Sequence, residues 1–196
     1  MSEKKKSAPN TDPAQKATDQ AQQAQQEGQN PDAVYAIRCQ YMKDFSFENP
    51  QAPFSIEKHL PPPKVEIALD VLQRRLDNGD YEVLIKAQAK GSDEDNKDDV
   101  RFIVEVSYGG IIRFLREVDK DTVTAVLYLD APRVMFPFLR NIIAEATMAG
   151  GFPPLLLQPV DFLALHRNKI AAVQAAEQAA KQNGASPSKD DTHDDG

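Results

Sequence analysis

The feature that most constrains this chain is a change of hydrophobic period partway along it. Four early stretches alternate apolar and polar side chains with period two, and the later ones repeat at helical spacing. Period two belongs to strands with one buried and one wet face, so a sheet followed by helices is predicted. In the first stretch Tyr35, Ile37, Cys39, Tyr41, Phe45 and Phe47 are expected on one face, with Arg38, Gln40, Asp44, Ser46 and Glu48 on the other. Lys43 interrupts the apolar series, which predicts a bulge or a twist there. After the turn at Pro61-Pro62-Pro63, Val65, Ile67, Leu69 and Val71 face one way, with Glu66 and Asp70 opposite. Tyr81, Val83, Ile85 and Ala87 mark a third strand. The acidic loop from Gly91 to Asp99 then leads, as a hairpin connection, into Val100, Phe102, Val104 and Val106.

An antiparallel meander is the expected arrangement. Gly109-Gly110 is predicted to stop the fourth strand and let the chain cross over through Ile111, Ile112, Phe114 and Leu115 to a short helix near Asp121 to Leu129. After Pro132, which a first helical turn tolerates, Met135, Phe138, Leu139, Ile142, Ile143, Ala146 and Ala149 form one stripe, ended by Gly150-Gly151. Asp161 is placed to cap a last helix carrying Phe162, Leu165, Ile170 and Val173. Its later turns, Ala175 to Lys181, lack large apolar residues and are expected to project into solvent. The fold class is therefore α+β, a four-stranded antiparallel sheet with helices packed on one side. Leu84 and Ile103 fall on the faces opposite the main apolar stripe, which points to oligomerisation or a binding groove.

Residues 1–32 offer Ala as their main aliphatic type, and 183–196 end in an acidic run. Both are predicted to be disordered tails around a folded unit at 33–182. No apolar run reaches the roughly 18 residues of a membrane-crossing helix, so membrane insertion is not expected. Met1-Ser2-Glu3-Lys4-Lys5-Lys6 leads into no apolar signal core, which predicts a cytoplasmic protein. The net charge of −7 disfavours nucleic acid as a partner.

A single cysteine, Cys39, excludes an intramolecular disulfide and is expected to be a buried strand residue. His59, His166 and His193 are too scattered to bind a metal with any ligand spacing. There is no phosphate loop or nucleophile motif. The carboxylates between Gly91 and Asp99 suit a solvated hairpin tip, and His166 suits a structural role, so neither an enzyme nor a cofactor is expected. Asp44 and Glu48 lie four apart in a strand, hence on one face, and Glu105 is on the polar side of its own strand. Together they form either a docking patch for a basic partner or a merely solubilising surface.

Lys43-Asp44-Phe45-Ser46-Phe47-Glu48-Asn49-Pro50, followed by Ala52-Pro53, closely resembles the strand motif K-D-[IL]-S-F-E-x-P-x-A-P of the SecB family of bacterial export chaperones. Tyr108-Gly109-Gly110-Ile111 resembles that family's glycine pair. Met135-Phe136-Pro137-Phe138-Leu139-Arg140 and the run from Gly151-Phe152-Pro153-Pro154 to Val160-Asp161-Phe162 are similar to its helix start and following loop. These blocks occur in family order between Tyr35 and Asn168.

The resemblance implies a homotetramer built as a dimer of dimers. It implies ATP-independent binding of unfolded precursor proteins and their delivery to SecA, the translocation ATPase. It assigns SecA contacts to Asp44, Glu48, Ile103 and Glu105, and a client groove to Val65, Ile67, Leu69, Phe102, Ile111 and Phe114. Ile103 stands where the family has leucine, Phe45 replaces a smaller aliphatic residue, and the N-terminal segment is longer than the family's. A SecB-like holdase for clients that are not exported, and an oligomer binding a small apolar ligand, are the alternatives.

Overall fold

The computed structural model describes residues 32–57 and 60–183. The predicted tails fall outside the described residues except for Asp32 and Asn183, as do His59 and His193. The chain divides into two units at Val34/Tyr35, and the second carries every element below.

Four strands, β1 (Tyr35–Glu48), β2 (Lys64–Arg75), β3 (Tyr81–Ser92) and β4 (Val100–Phe114), make one antiparallel sheet of order β1-β4-β3-β2. Only β2, β3 and β4 form a meander. β1 pairs with β4, so the 49–63 connection carries the chain from one sheet edge to the other. That corrects the meander expected for all four strands.

Helices follow the sheet. Helix α1 (Lys120–Ala125) is capped by Asp119, whose carboxylate accepts the Thr122 N–H at 2.8 Å. A π turn (Val126–Asp130) joins it without a break to α2 (Ala131–Ala149). Pro132 brings no N–H to the ladder, and the Ala131 N–H reaches back five residues to the Val126 carbonyl, so a wider turn replaces the predicted gap between two helices. Helix α3 (Phe162–Asn183) starts as expected, with Asp161 Oδ1 accepting from the Leu163 and Ala164 N–H groups at 3.0 Å each.

The face of the sheet turned toward α2, called inner here, carries Val83, Ile85, Ala87, Ala89, Phe102, Val104, Val106, Tyr108 and Ile112. These close on Met135, Leu139 and Ile143 of α2 and on Leu157 and Phe162 beyond it. Thr147, fully buried, donates its hydroxyl to backbone carbonyls of its own helix and accepts the Leu155 N–H at 2.9 Å, pinning the proline-rich loop back onto α2.

β4 does not stop at the glycine pair. It runs through Gly109-Gly110 to Phe114, so Ile111 and Phe114 are strand residues and not part of a crossover. The glycines serve packing instead. A Cβ at Gly109 would lie 2.8 Å from the Tyr41 ring, and one at Gly110 would lie 2.9 Å from Met135 Sδ.

β1 holds a second departure. Its register against β4 slips twice, between Ile37 and Cys39 and between Met42 and Asp44. The slip at Lys43 is the predicted bulge, and the one at Arg38 is not predicted. Each extra residue reverses which face the next side chains take. Tyr35 and Ile37 point inward, Cys39 and Tyr41 outward, and Phe45 and Phe47 inward again. Cys39 is exposed, against expectation, because the Arg38 bulge turns it away from the core.

Candidate functional site

The Lys43 bulge also decides where the acidic residues go. Beyond it Asp44 pairs with Ser107, Ser46 with Glu105 and Glu48 with Ile103, all on the outer face, while on the inner face between them Phe47 packs against the core and Phe45 is exposed. Asp44, Glu48, Ile103 and Glu105 thus occupy neighbouring positions on two paired strands. Glu105 is further held by the Gln88 amide from β3. A shallow concavity of about 360 Å³ runs beside them, and Asp44, Asp70 and Glu105 line it against one cation, Lys86.

Two buried carboxylates lie farther along the same face. Glu82 follows the inward Tyr81 and so points outward, where Tyr41 Oη, Lys43 Nζ at 2.8 Å and Arg74 Nε donate to it. Burial alone would raise its pKa. The hydrogen bonds from Lys43, Tyr41 and Arg74 outweigh that and hold the carboxyl down at about 2. Burial and the bond to Glu82 push the Tyr41 phenol up to about 12. Asp80 accepts from Arg113 at 2.7 and 3.0 Å and from Arg38 at 3.2 Å, and the Arg113 bond leads in keeping it below the usual carboxylate range. Arg38 and Lys43 are the two bulged residues, so each bulge delivers a cation to a buried anion.

The six candidate groove residues separate into three places. Val65, Ile67 and Leu69 lie on the inner face of the edge strand β2, and Ile67 is 47% exposed. Phe102 of β4 lies in line with Val65 on the same face, 2% exposed, with its ring over Gly91, the residue between them on β3. Phe152 packs on that ring at 4.9 Å, and Ile56, itself exposed, touches the neighbouring Gly151. Phe114 is at the other end of the inner face, edge-on to Tyr81 at 5.8 Å. Ile111 lies on the outer face.

A third surface was not assigned from sequence. Met42 and Phe45 of β1 and Val134 and Phe138 of α2 are exposed large apolar residues, and Phe138 stacks on Tyr108 at 6.1 Å. Gln40 Oε1 and Arg140 Nε, on the same two elements, are buried without a hydrogen-bond partner among the described residues. The sequence stripe of α2 had grouped Phe138 and Ala149 with the core residues; both are exposed, and Phe136 is buried in their place. No group of three or more metal-binding side chains occurs among the described residues, nor is any helix there long and apolar enough to cross a membrane.

Comparison with known proteins follows the same lines. The family described as preprotein translocase subunit SecB matches residues 26–173. A protein-export protein SecB of Rhodospirillum centenum is 40% identical over 148 residues, covering 76% of this chain and 86% of the relative. One from Maricaulis maris is 38% identical over 177 residues, 90% of this chain and 94% of its own. Among solved structures, the SecB-like chaperone Rv1957 of Mycobacterium tuberculosis, in complex with a peptide of the HigA1 antitoxin, shares the fold at a TM-score of 0.54. It has 12% identity, and the match covers 65% of this chain and 91% of that one.

Proposed function

The chain belongs to the SecB family of protein-export chaperones, and on that premise we propose that it holds non-native secretory precursors on one face of its sheet and passes them to SecA across the other. The observation that carries this reading is the register of β1 against β4, which sets Asp44, Glu48, Ile103 and Glu105 side by side on the outer face. Carboxylates around one apolar contact suit a basic partner that must arrive fast and leave again, because exposed charge speeds encounter more than it strengthens the complex.

On the inner side, Val65, Ile67 and Leu69 form the client rim, with the buried Phe102 in line with it. Unfolded chains offer short apolar segments in no fixed order. Shallow apolar contacts bind these without a side-chain code, and several rims on one oligomer raise avidity through effective concentration. Holding then needs no ATP and no catalytic step, since preferential binding of the unfolded state shifts folding by mass action. A second copy covers Met42, Phe45, Val134 and Phe138, giving the dimer of dimers, and supplies partners for Gln40 and Arg140. The work is placed in the cytoplasm, where precursor and motor meet.

The test is a double reversal, Asp44→Lys with Glu48→Lys. SecA affinity is expected to fall at least tenfold and to lose its salt dependence, with client holding retained. Unchanged SecA affinity would refute the docking surface.

A further inference from the structure

The outer face does not end at the acidic residues. Next to them, in register, Leu72 of β2 pairs with Leu84 of β3, Leu84 with Gly109 of β4, and Gly109 with Tyr41 of β1. Because Gly109 has no side chain, Tyr41 and Leu84 close over it, each within 3 Å of where a Cβ would stand. Ile111 adjoins them one pair along. The result is an apolar shelf on a face turned away from the helices, with a concavity of about 380 Å³ beside Lys43, Leu72, Arg74 and Leu84.

Cations surround this shelf. Arg38, Lys43, Arg74 and Arg113 have side chains 41% to 66% exposed, while their counter-ions Asp80 and Glu82 are 4% exposed. Four cations against two carboxylates leave a net surplus of two, and burial of the carboxylates means that an approaching molecule meets the cations first. The outer face thus differs along the strands: Asp44, Glu48 and Glu105 stand at one end, with Lys86 and Lys90 of β3 beside them, and the cationic surplus surrounds the shelf at the other.

We propose that this shelf is a second half of the docking surface, taking a segment of the same motor in which apolar side chains are flanked by Asp or Glu. The inference rests on the reading of Asp44 and Glu48 as the SecA contact. An apolar shelf alone would accept any greasy segment in either direction. The cationic surround rejects basic segments, which are the ones the acidic rows attract, so the two halves together fix one orientation of the bound partner.

The experiment is calorimetric titration of SecA into the full chain at low and at physiological salt. One variant, Arg38→Gln with Arg74→Gln, removes two exposed cations yet leaves Arg113 on Asp80 and Lys43 on Glu82. A second, Leu84→Ala, trims the shelf. The cation variant is expected to weaken binding roughly tenfold at low salt and to lower the salt dependence, and Leu84→Ala to weaken it similarly at both salts. Retained client holding shows that both variants are folded.

Wild-type affinity in both would overturn the proposal. So would a fall in oligomeric mass, which would show that a second copy covers the shelf. The Asp44/Glu48 reversal, measured alongside, separates the two ideas. If it weakens binding while the shelf variants do not, only the shelf fails. If the shelf variants weaken binding and the reversal does not, the acidic contact fails and the two-part docking surface is overturned with it.

Discussion

Replacing Phe102 by alanine distinguishes a core residue from a client contact. The ring is 2% exposed, stacked 6.4 Å from Phe47, tilted 4.9 Å from Phe152, and seated on the bare backbone of Gly91. Removing a fully buried phenyl group costs about 3–5 kcal/mol, the upper part applying where the cavity cannot collapse. Gly91 offers no side chain to fill the space, so a value near 4 kcal/mol is expected. With a urea slope of about 2 kcal/mol per molar, the midpoint should fall by about 2 M. The assay is urea unfolding at one fixed protomer concentration, since oligomer stability depends on it. Ile67→Ala, at a residue 47% exposed, is the comparison and should cost under about 1 kcal/mol while weakening client holding. If Phe102→Ala proves equally mild and abolishes holding, the ring is presented to clients in the working state and its placement in the core is wrong.

Other outcomes follow from the outer face and the glycines. Glu82 has its folded pKa depressed from 4.5 to about 2, so its contribution to stability is complete above about pH 4.5 and is lost as pH falls toward 2. Melting temperatures from pH 5 to 2.5 should therefore decline less steeply in Glu82→Gln than in wild type, and parallel declines would contradict the network. Gly109→Ala places a Cβ 2.8 Å from the Tyr41 ring and should cost about 1–3 kcal/mol by displacing it. The same change should bring the Tyr41 phenol down from about 12 toward 10 in an absorbance titration, and an unmoved phenol would show that the ring need not shift. Thr147→Val leaves the Leu155 N–H without its acceptor and should cost about 1–3 kcal/mol in the same urea assay. A cost near zero would mean that the loop is held by its apolar side chains alone.

What the sequence could disclose follows from how each feature is encoded. The inner strand faces of β2, β3 and β4 and the Met135, Leu139, Ile143 and Ala146 positions of α2 were legible because burial on one side imposes a period that survives in the text, whereas Phe138, apolar but exposed, was not told apart from the buried Phe136. The Lys43 bulge was legible because a charge broke that period. The Arg38 bulge was hidden, since Cys39 and Tyr41 are apolar residues on the outer face and continue the alternation that the bulge in fact reverses.

Gly109-Gly110 suggested a strand end, since glycine weakens strands. Its purpose, room for Tyr41, Leu84 and Met135, depends on residues distant in sequence. Asp44 and Glu48 could be placed on one face from their spacing. That Glu105 and Ile103 lie beside them needed the β1–β4 pairing, which skips two strands and leaves no local mark. Asp80 and Glu82 were missed for the same reason, because their cations come from three other strands.

The most direct test is refolding of a chemically unfolded secretory precursor, without ATP, in the presence of the wild-type chain or of the Asp44→Lys/Glu48→Lys variant, followed by addition of SecA. Both proteins are expected to delay refolding equally, and SecA to bind the wild-type complex at least tenfold more tightly than the variant complex. No delay from the wild-type chain would contradict the holding function, and equal SecA binding by both would contradict the two-faced division of labour.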